Sequence, residues 1–522
     1  MRPALPRPAA AVWELPPRLA AALRAVGLCV GAGVVIGALT SLLNPFVGLG
    51  LVVSVGVVLA VALRPTGRFW LLAGVVCLLP FAAVPKLGIQ PTLLDGTMAL
   101  LLGVALLRLL LRLQRGVRTP LDLPVVIYVV LCAVAFINGS AFGVTAETVK
   151  YFIRVMFGIL LYFTFTNGLT SRRALRSFTN AIILGVFGAA LLADFFKLAG
   201  QGTAMRWLSA LGPLGYPTGA DTLRFIASTT IWRATSTSVD PNIFGGLLMV
   251  GIVLLVGRWL GALTEPGTEG AVALGVVLAG PKQRRRERRR ANWLALPMLA
   301  VMVWALLLSY SRGAYVGTGV GLLFLAVIRY RKLIPLVAFI GLIAAFALGG
   351  TNFGRHLVSG FLVEDKAAAM RLGEYKDAVT FISEYPVFGV GFGTTPTGTA
   401  IAPDVGVYVG VSNIYLLMTL EIGLVGMAGF AAVAITLLVW TFQGYSRAGP
   451  AAQTWIATAA AALFAAAVAG VADHYFFRYP HMVALFWSVI GILAISLRLA
   501  AQEQAAAEIA ASPDSRAKRA AA

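Results

Sequence analysis

What most limits the folds open to this chain is the recurrence of apolar runs about 20 residues long, the length a helix needs to cross the hydrocarbon of a bilayer. They lie near 20–43, 45–63, 69–85, 92–112, 121–139, 148–168, 175–199, 241–262, 292–310, 313–330, 333–349, 412–440, 452–472 and 480–499. Lipid offers no water to the backbone, so each crossing must satisfy its own N–H and C=O groups, and a helix does this within one segment. The expected fold class is therefore all-α: a polytopic membrane protein of about 14 transmembrane helices with a large external loop. The balance of 59% hydrophobic and 12% charged residues lies far from that of a soluble domain and supports this reading.

A net charge of +21 would suggest nucleic acid in a soluble protein. Membrane proteins instead concentrate Lys and Arg in cytoplasmic loops. Placing the N-terminus in the cytoplasm sends Arg64 and Arg68, Arg112 to Arg118, Arg172 to Arg176, Lys282 to Arg290, Arg329 to Lys332, and Arg447 to one side. The loops at 200–240, 350–411 and 473–479 then face outward. Residues 1–349 form a multispan region with a short outer loop near 200–240, and 350–411 form an external loop with an amphipathic helix. Residues 412–500 hold the C-terminal spans, and 501–522 a cytoplasmic tail. The run Arg284 to Arg290 is expected to anchor topology against anionic lipid, with no role for nucleic acid. Cys29, Cys77 and Cys132 fall inside apolar runs, where a thiol serves as core filler. No Walker-type loop or D-x-D motif occurs, and His356, His474 and His481 lack metal-ligand spacing, so neither metal nor cofactor is expected.

The informative cations are those left on the outer side. Arg233 precedes Asp240-Pro241-Asn242, where Asp240 suits an N-cap and Pro241 a first helical position. Ser311 can cap a span starting at Arg312, and Ser412 one starting at Asn413. Each outward N-terminus offers unpaired N–H groups and partial positive charge. With Arg233, Arg312 and Arg371 added, the set suits a polyanion such as pyrophosphate. The plainer alternative is that each Arg snorkels to lipid headgroups. Arg371 opens a helical pattern whose apolar stripe is Leu372, Tyr375, Val379 and Ile382, with Glu374 beside it. That helix also suits a membrane surface. Gly389-Val390-Gly391-Phe392-Gly393 follows, a backbone able to bend sharply and approach a ligand.

Acidic residues within spans need partners. Glu421 lies about 12 Å beyond Asn413 along a helix at about 1.5 Å per residue. Lys150 or Arg154 is a candidate counter-ion for it. Asp194 and Lys197 are spaced to pair with each other. Asp473, His474 and Arg478 to His481 read as interfacial.

Taken in order, Arg233 with Asp240-Pro241-Asn242, Ser311-Arg312-Gly313-Ala314, Arg371 and its helix, Pro386 to Gly391, Ser412-Asn413-Ile414-Tyr415-Leu416 and Glu421-Ile422-Gly423 resemble the O-antigen ligase and O-antigen polymerase family of bacterial envelope enzymes. The resemblance implies a glycosyltransferase in the bacterial inner membrane with its active site on the external, periplasmic face. It would move a glycan from a polyprenyl-diphosphate carrier to an acceptor hydroxyl. Its partners would be the lipid-linked glycan donor, a glycan or lipid acceptor, and membrane lipids. Arg233, Arg312 and Arg371 would hold the diphosphate. Arg312 and Arg371 are thus expected catalytic residues together with Glu374, the first candidate to orient or deprotonate the acceptor. Arg233, Asp240, Asn242, Ser412 and Asn413 are expected to bind substrate. Ligases of the family usually carry His just before the Asn, where this chain has Ser412, which puts a His-based ligase mechanism in doubt. The rival reading is a transporter or flippase of lipid-linked glycans.

Overall fold

The computed structural model describes residues 66–83, 91–114, 116–226, 230–264, 281–335, 337, 339, 366–392 and 411–511. The chain divides into Met1–Leu71, of which only 66–71 are described, and Leu72–Ala522, which holds the elements below. Helix α1 (Gly67–Leu78) is followed by α2 (Leu93–Leu110), α3 (Asp122–Asn138), α4 (Ala146–Gly168), α5 (Arg172–Ala199) and α6 (Gln201–Ser209). Two short strands, β1 (Arg224–Phe225) and β2 (Trp232–Arg233), pair antiparallel. Then come α7 (Pro241–Thr264), α8 (Pro281–Ser309), α9 (Arg312–Ile328), α10 (Lys366–Glu384), α11 (Ile414–Arg447), α12 (Pro450–Ala469), α13 (Tyr475–Arg478) and α14 (Pro480–Ala511).

This is an all-α, multi-pass membrane protein. Among the described residues, 8 helices are long and apolar enough to cross a membrane: α2 to α5, α7, α11, α12 and α14. Gly67–Leu78, Trp293–Ser309 and Arg312–Ile328 are shorter apolar helices. The runs expected at 20–43 and 45–63, and most of 333–349, lie outside the described residues, as does most of the expected loop at 350–411. Of the fourteen expected runs, 8 qualify as full-length spans among the described residues; those near 69–85, 292–310 and 313–330 give shorter apolar stretches, the second as the end of the longer α8, and the other three lie wholly or mostly outside the described residues.

The starts of these helices are fixed locally. Thr92 and Asp95 form a capping box on α2, each side chain bonding the other's backbone N–H. Asp95 also holds Arg154 of α4 through two nitrogens at 2.8–3.0 Å. Thr145 and Ser171 cap α4 and α5. Helices α7 and α14 run through the centre, with 83% and 89% of their apolar windows buried, whereas α2 buries 22% and turns the rest outward. The main packing partners are α9 with α12, α4 with α14, α3 with α11, and α7 with both α8 and α12.

Helix α11 is broken. Gly423 has φ 67° and ψ −178°, outside any helical region. The opened turn is closed by backbone from another segment. Val390 N and Gly391 N donate to Leu420 O (2.9 Å) and Glu421 O (3.1 Å), and Leu424 N and Val425 N donate to Pro386 O (2.8 Å) and Val387 O (3.2 Å). Non-helical backbone at such depth is tolerated only where other groups satisfy it. The glycine-rich stretch after α10 thus approaches a broken helix, where the sequence had suggested a ligand. Phe392, fully buried, fixes it from the far side against Tyr151, Phe152 and Phe477.

Candidate active site

Four chain segments converge at one end of the bundle. The first begins at Arg233, whose Nε donates to Ser309 O (2.8 Å) and whose Nη2 donates to Asn242 Oδ1 (2.7 Å) and Tyr310 O (3.1 Å). It therefore ties the strand β2 to the α8–α9 turn and to the start of α7. Asp240 caps α7 as expected, its Oδ1 accepting from Asn242 N (2.7 Å) and Ile243 N (3.1 Å). In this arrangement Asp240 and Asn242 each spend an oxygen on holding the site's frame.

The second segment is the start of α9. Ser311 occupies the N-cap position with no side-chain capping bond, and Arg312 begins the helix. Close approach here depends on glycine: a Cβ on Gly245 would lie 2.7 Å from Ser311 Cβ, and one on Gly246 would lie 2.4 Å from the Tyr475 ring. The backbone is also held in unusual conformations at this end. Val239 has φ 63° and Tyr310 has φ 50°. A β-branched residue at positive φ is a steric outlier, and such strain, of about 1–3 kcal/mol per residue, tends to collect at functional sites.

The third segment is α10 with the start of α11. The expected apolar stripe is not the packed face: Leu372 and Val379 are exposed, while Glu374 and Ala378 are buried. Apolar side chains on a membrane protein can turn to lipid, so the polar side faces the fold instead. Glu374 Oε2 accepts from Ser412 N (2.9 Å), and Tyr375 Oη donates to Ser412 O (2.9 Å). Burial raises the Glu374 carboxyl above its ordinary value, opposed by the Ser412 bonds and by Arg371. The cap of α11 is Asn413 rather than Ser412, because its Oδ1 reaches Tyr415 N (2.9 Å) and Leu416 N (3.0 Å). Asn413 Nδ2 donates to Val471 O (3.0 Å), stitching α11 to the end of α12.

The fourth segment is the turn 470–479, which sequence reasoning had set aside as interfacial. Asp473, with a 13% exposed side chain, receives the His474 backbone N–H at Oδ1 (2.8 Å). Its carboxyl is pushed up to about 7, first by burial and then by Asp240, while Arg371, the His474 N–H and Arg233 pull the other way. His474 is pushed down to about 4 by burial and by the charges of Arg478 and Arg371. Arg233, in turn, feels Asp240, Asp473 and Arg312. Arg233 and Arg371, distant in sequence, thus both act on Asp473, and Arg312 acts on Arg233. The signal that could have found Asp473 was its placement beside His474 in the last loop on the arginines' side.

The intramembrane acids also differ from expectation. Glu421, fully buried, pairs with Arg478 (Oε1 to Nη1, 3.2 Å), since Lys150 is paired with Glu147 and Arg154 with Asp95. Arg478 also lies over the Tyr151 ring at 4.5 Å. Lys197 does not meet Asp194. It donates to Trp232 O (2.7 Å) and sits over the Trp232 ring, because β2 lies closer to hand. Among the described residues no group of three or more His, Cys, Asp or Glu is placed to hold a metal ion.

The stretch that carries Arg312, α10, Asn413 and the break at Gly423 is similar to a known family. Residues 297–431 match the family model described as O-antigen ligase. Over these residues the chain is similar to the O-antigen ligase family. No curated protein matches the chain. The matched region starts within α8 and ends in α11 beyond Gly423, so it includes Arg312, Arg371 and Glu374 but not Arg233, Asp240 or Asp473. A likeness to the O-antigen ligase family inside a helical, multi-pass body supports a membrane enzyme that transfers glycans.

Proposed function

We propose that this protein transfers a glycan from a polyprenyl-diphosphate carrier to an acceptor hydroxyl, on the external face of a bacterial inner membrane. The reading rests on one observation: Arg233 of β2 and Arg371 of α10 both act on the carboxylate of Asp473, and Arg312 of α9 acts on Arg233. Forked guanidinium groups match diphosphate oxygens in geometry and charge. When the bond between the anomeric carbon and the diphosphate oxygen breaks, its electron pair stays on the diphosphate. Cations fixed in advance stabilise that developing charge more than they stabilise the ground state.

The acceptor oxygen bonds to the anomeric carbon and loses its proton. Asp473 is suited to take it, since a carboxyl near 7 is half ionised at neutral pH and remains basic enough to accept a proton. Glu374, engaged with Ser412 N, acts on the acceptor side by holding the start of α11. Arg233 both frames the site and presents its remaining nitrogen, Nη1, to the diphosphate.

The transporter reading draws on the broken helix α11, since discontinuous spans mark many transport sites. Here, however, the break is sealed by the backbone of Pro386 to Gly391. The deciding experiment incubates purified protein with polyprenyl-diphosphate glycan and an acceptor, and measures released carrier diphosphate. Release that depends on acceptor and is lost in Arg371→Ala supports transfer. Movement of donor across vesicles without release establishes transport instead.

A further inference from the structure

The end of the bundle away from Asp473 contains a buried arginine with no anion beside it among the described residues. Arg258 lies on α7, about 27 Å along the helix from Asp240 at about 1.5 Å per residue. It is 4% exposed, and its Nε and Nη2 are buried without a hydrogen-bond partner among the described residues. Its guanidinium stacks on Trp455 of α12, with Cζ 4.0 Å from the ring centroid. Among the described residues, the charged and titratable groups that bear on it are Arg176 of α5, a second cation, and the Tyr330 phenol.

This is not the geometry of a snorkelling arginine, which keeps its charged head in water. Gly257 and Gly261 flank Arg258 on α7, and a Cβ on either would come within 2.2 or 2.4 Å of Thr458 or Thr454. The two helices are therefore pressed together, and the guanidinium is held against α12. Arginine does not shed its proton in proteins, so it cannot escape the cost of burial by becoming neutral. A buried charge needs a counter-charge, and the stacking on Trp455 supplies only part of that stabilisation. The N-terminus of α12 adds to the positive field, since Gly449 gives it no side-chain cap. Arg329 reaches the same turn, donating from Nη2 to Pro450 O (3.3 Å).

We infer that Arg258 and Arg176, with the Trp455 face as backing, form a binding site for a phosphate group at the end of the bundle opposite Asp473. The forked donor set fits phosphate oxygens, whether the phosphate belongs to an anionic phospholipid headgroup or is free in solution. The site is separate from the transfer chemistry proposed above and does not rest on it.

The test is thermal unfolding of the full chain in detergent, with phosphatidylglycerol, phosphatidylcholine or inorganic phosphate added at matched ionic strength. Phosphatidylglycerol is expected to raise the midpoint more than phosphatidylcholine, and Arg258→Met and Arg176→Gln are each expected to remove at least half of that difference. A rise with inorganic phosphate that is lost in Arg258→Met assigns the site to the free anion. Without added phosphate, Arg258→Met should unfold no earlier than wild type, since an uncompensated buried cation has been removed. Equal responses in wild type and both variants, or no response to either phosphate source, overturn the inference. Should Arg258→Met fail to fold, the Arg176→Gln comparison decides alone. Native mass spectrometry of the wild type gives a second measure: neither bound phospholipid nor phosphate also overturns it.

Discussion

Gly389 and Gly423 meet backbone to backbone. A Cβ on Gly423 would lie 2.1 Å from Val387 O and 2.6 Å from Gly389 N, while one on Gly389 would lie 2.4 Å from Leu420 O. Both residues have positive φ, at 68° and 67°. No larger residue fits either position without moving main chain, so this contact fixes how α10 and its following turn seat against the broken span.

Gly423→Ala should therefore destabilise strongly, by about 1–3 kcal/mol from the backbone conformation alone, with the steric contact adding to it. Gly373, in the middle of α10 with nothing within 4 Å of a built Cβ, is the control. Gly373→Ala should be neutral or stabilise by about 0.5–1 kcal/mol, as expected for a helix interior. Unfolding midpoints in detergent compare the two; similar losses would mean that the interlock has no special weight.

The Glu421–Arg478 pair sits just before the break in α11 and on the turn that carries Asp473. Removing one partner leaves the other's charge buried, so Arg478→Ala should cost about 3–5 kcal/mol. Glu421→Gln keeps the shape and removes the charge. A double-mutant cycle with Arg478→Ala and Glu421→Gln should give a coupling of about 0.5–3 kcal/mol, and strict additivity would show that the two do not act together.

Arg371 and Arg233 should separate by readout. Arg233 uses two nitrogens to hold Ser309, Tyr310 and Asn242, so Arg233→Ala is expected to lower both stability and transfer. Arg371→Ala is expected to lower transfer by roughly ten- to a hundredfold, the loss of one charge-assisted bond of about 1.5–3 kcal/mol, with the unfolding midpoint retained. Full transfer by Arg371→Ala removes it from the clamp.

At the start of α11 the two neighbouring residues should behave differently. Asn413→Ala removes a cap made to two N–H groups and should cost about 0.5–2 kcal/mol. Ser412 contributes backbone atoms to Glu374 and Tyr375, and Ser412→Ala leaves those in place. A larger stability loss from Ser412→Ala than from Asn413→Ala would reverse this assignment.

The spans were legible because they rest on a one-dimensional signal, apolar length. The cap at Asp240 was legible for the same reason, since Asp-Pro is a local pattern. What failed depended on packing. Glu421 visibly needed a partner, but Arg478 lies a whole helix away in sequence, and the nearer cations were already paired. The stripe through Leu372 and Val379 misled because apolar exposure is not penalised beside lipid. Gly423 sits in a run that reads as continuous helix, and only the approach of Pro386 to Gly391 explains why it opens. Asp473 was passed over because its character comes from burial and from Asp240, Arg371 and Arg233, none of them near it in the chain.

That dependence makes Asp473 the sharpest test of the site. Its carboxyl titrates near 7 in the folded protein against an ordinary value of 3.8, so the folded state holds the proton more tightly. Its contribution to stability is then present below the unfolded value and is lost as pH rises through about 7. A base has the opposite requirement, because it works only when ionised. Transfer should therefore rise with pH along a limb centred near 7, while stability from this group falls between its ordinary value of 3.8 and about 7 and levels off above it. Asp473→Asn removes the ionisation and keeps the shape. It should flatten that limb, lower transfer by roughly 10²–10⁴-fold, and unfold no earlier than wild type at pH 8. If Asp473→Asn lowers transfer equally at every pH and leaves the limb in place, Asp473 only positions its neighbours and the proton goes elsewhere.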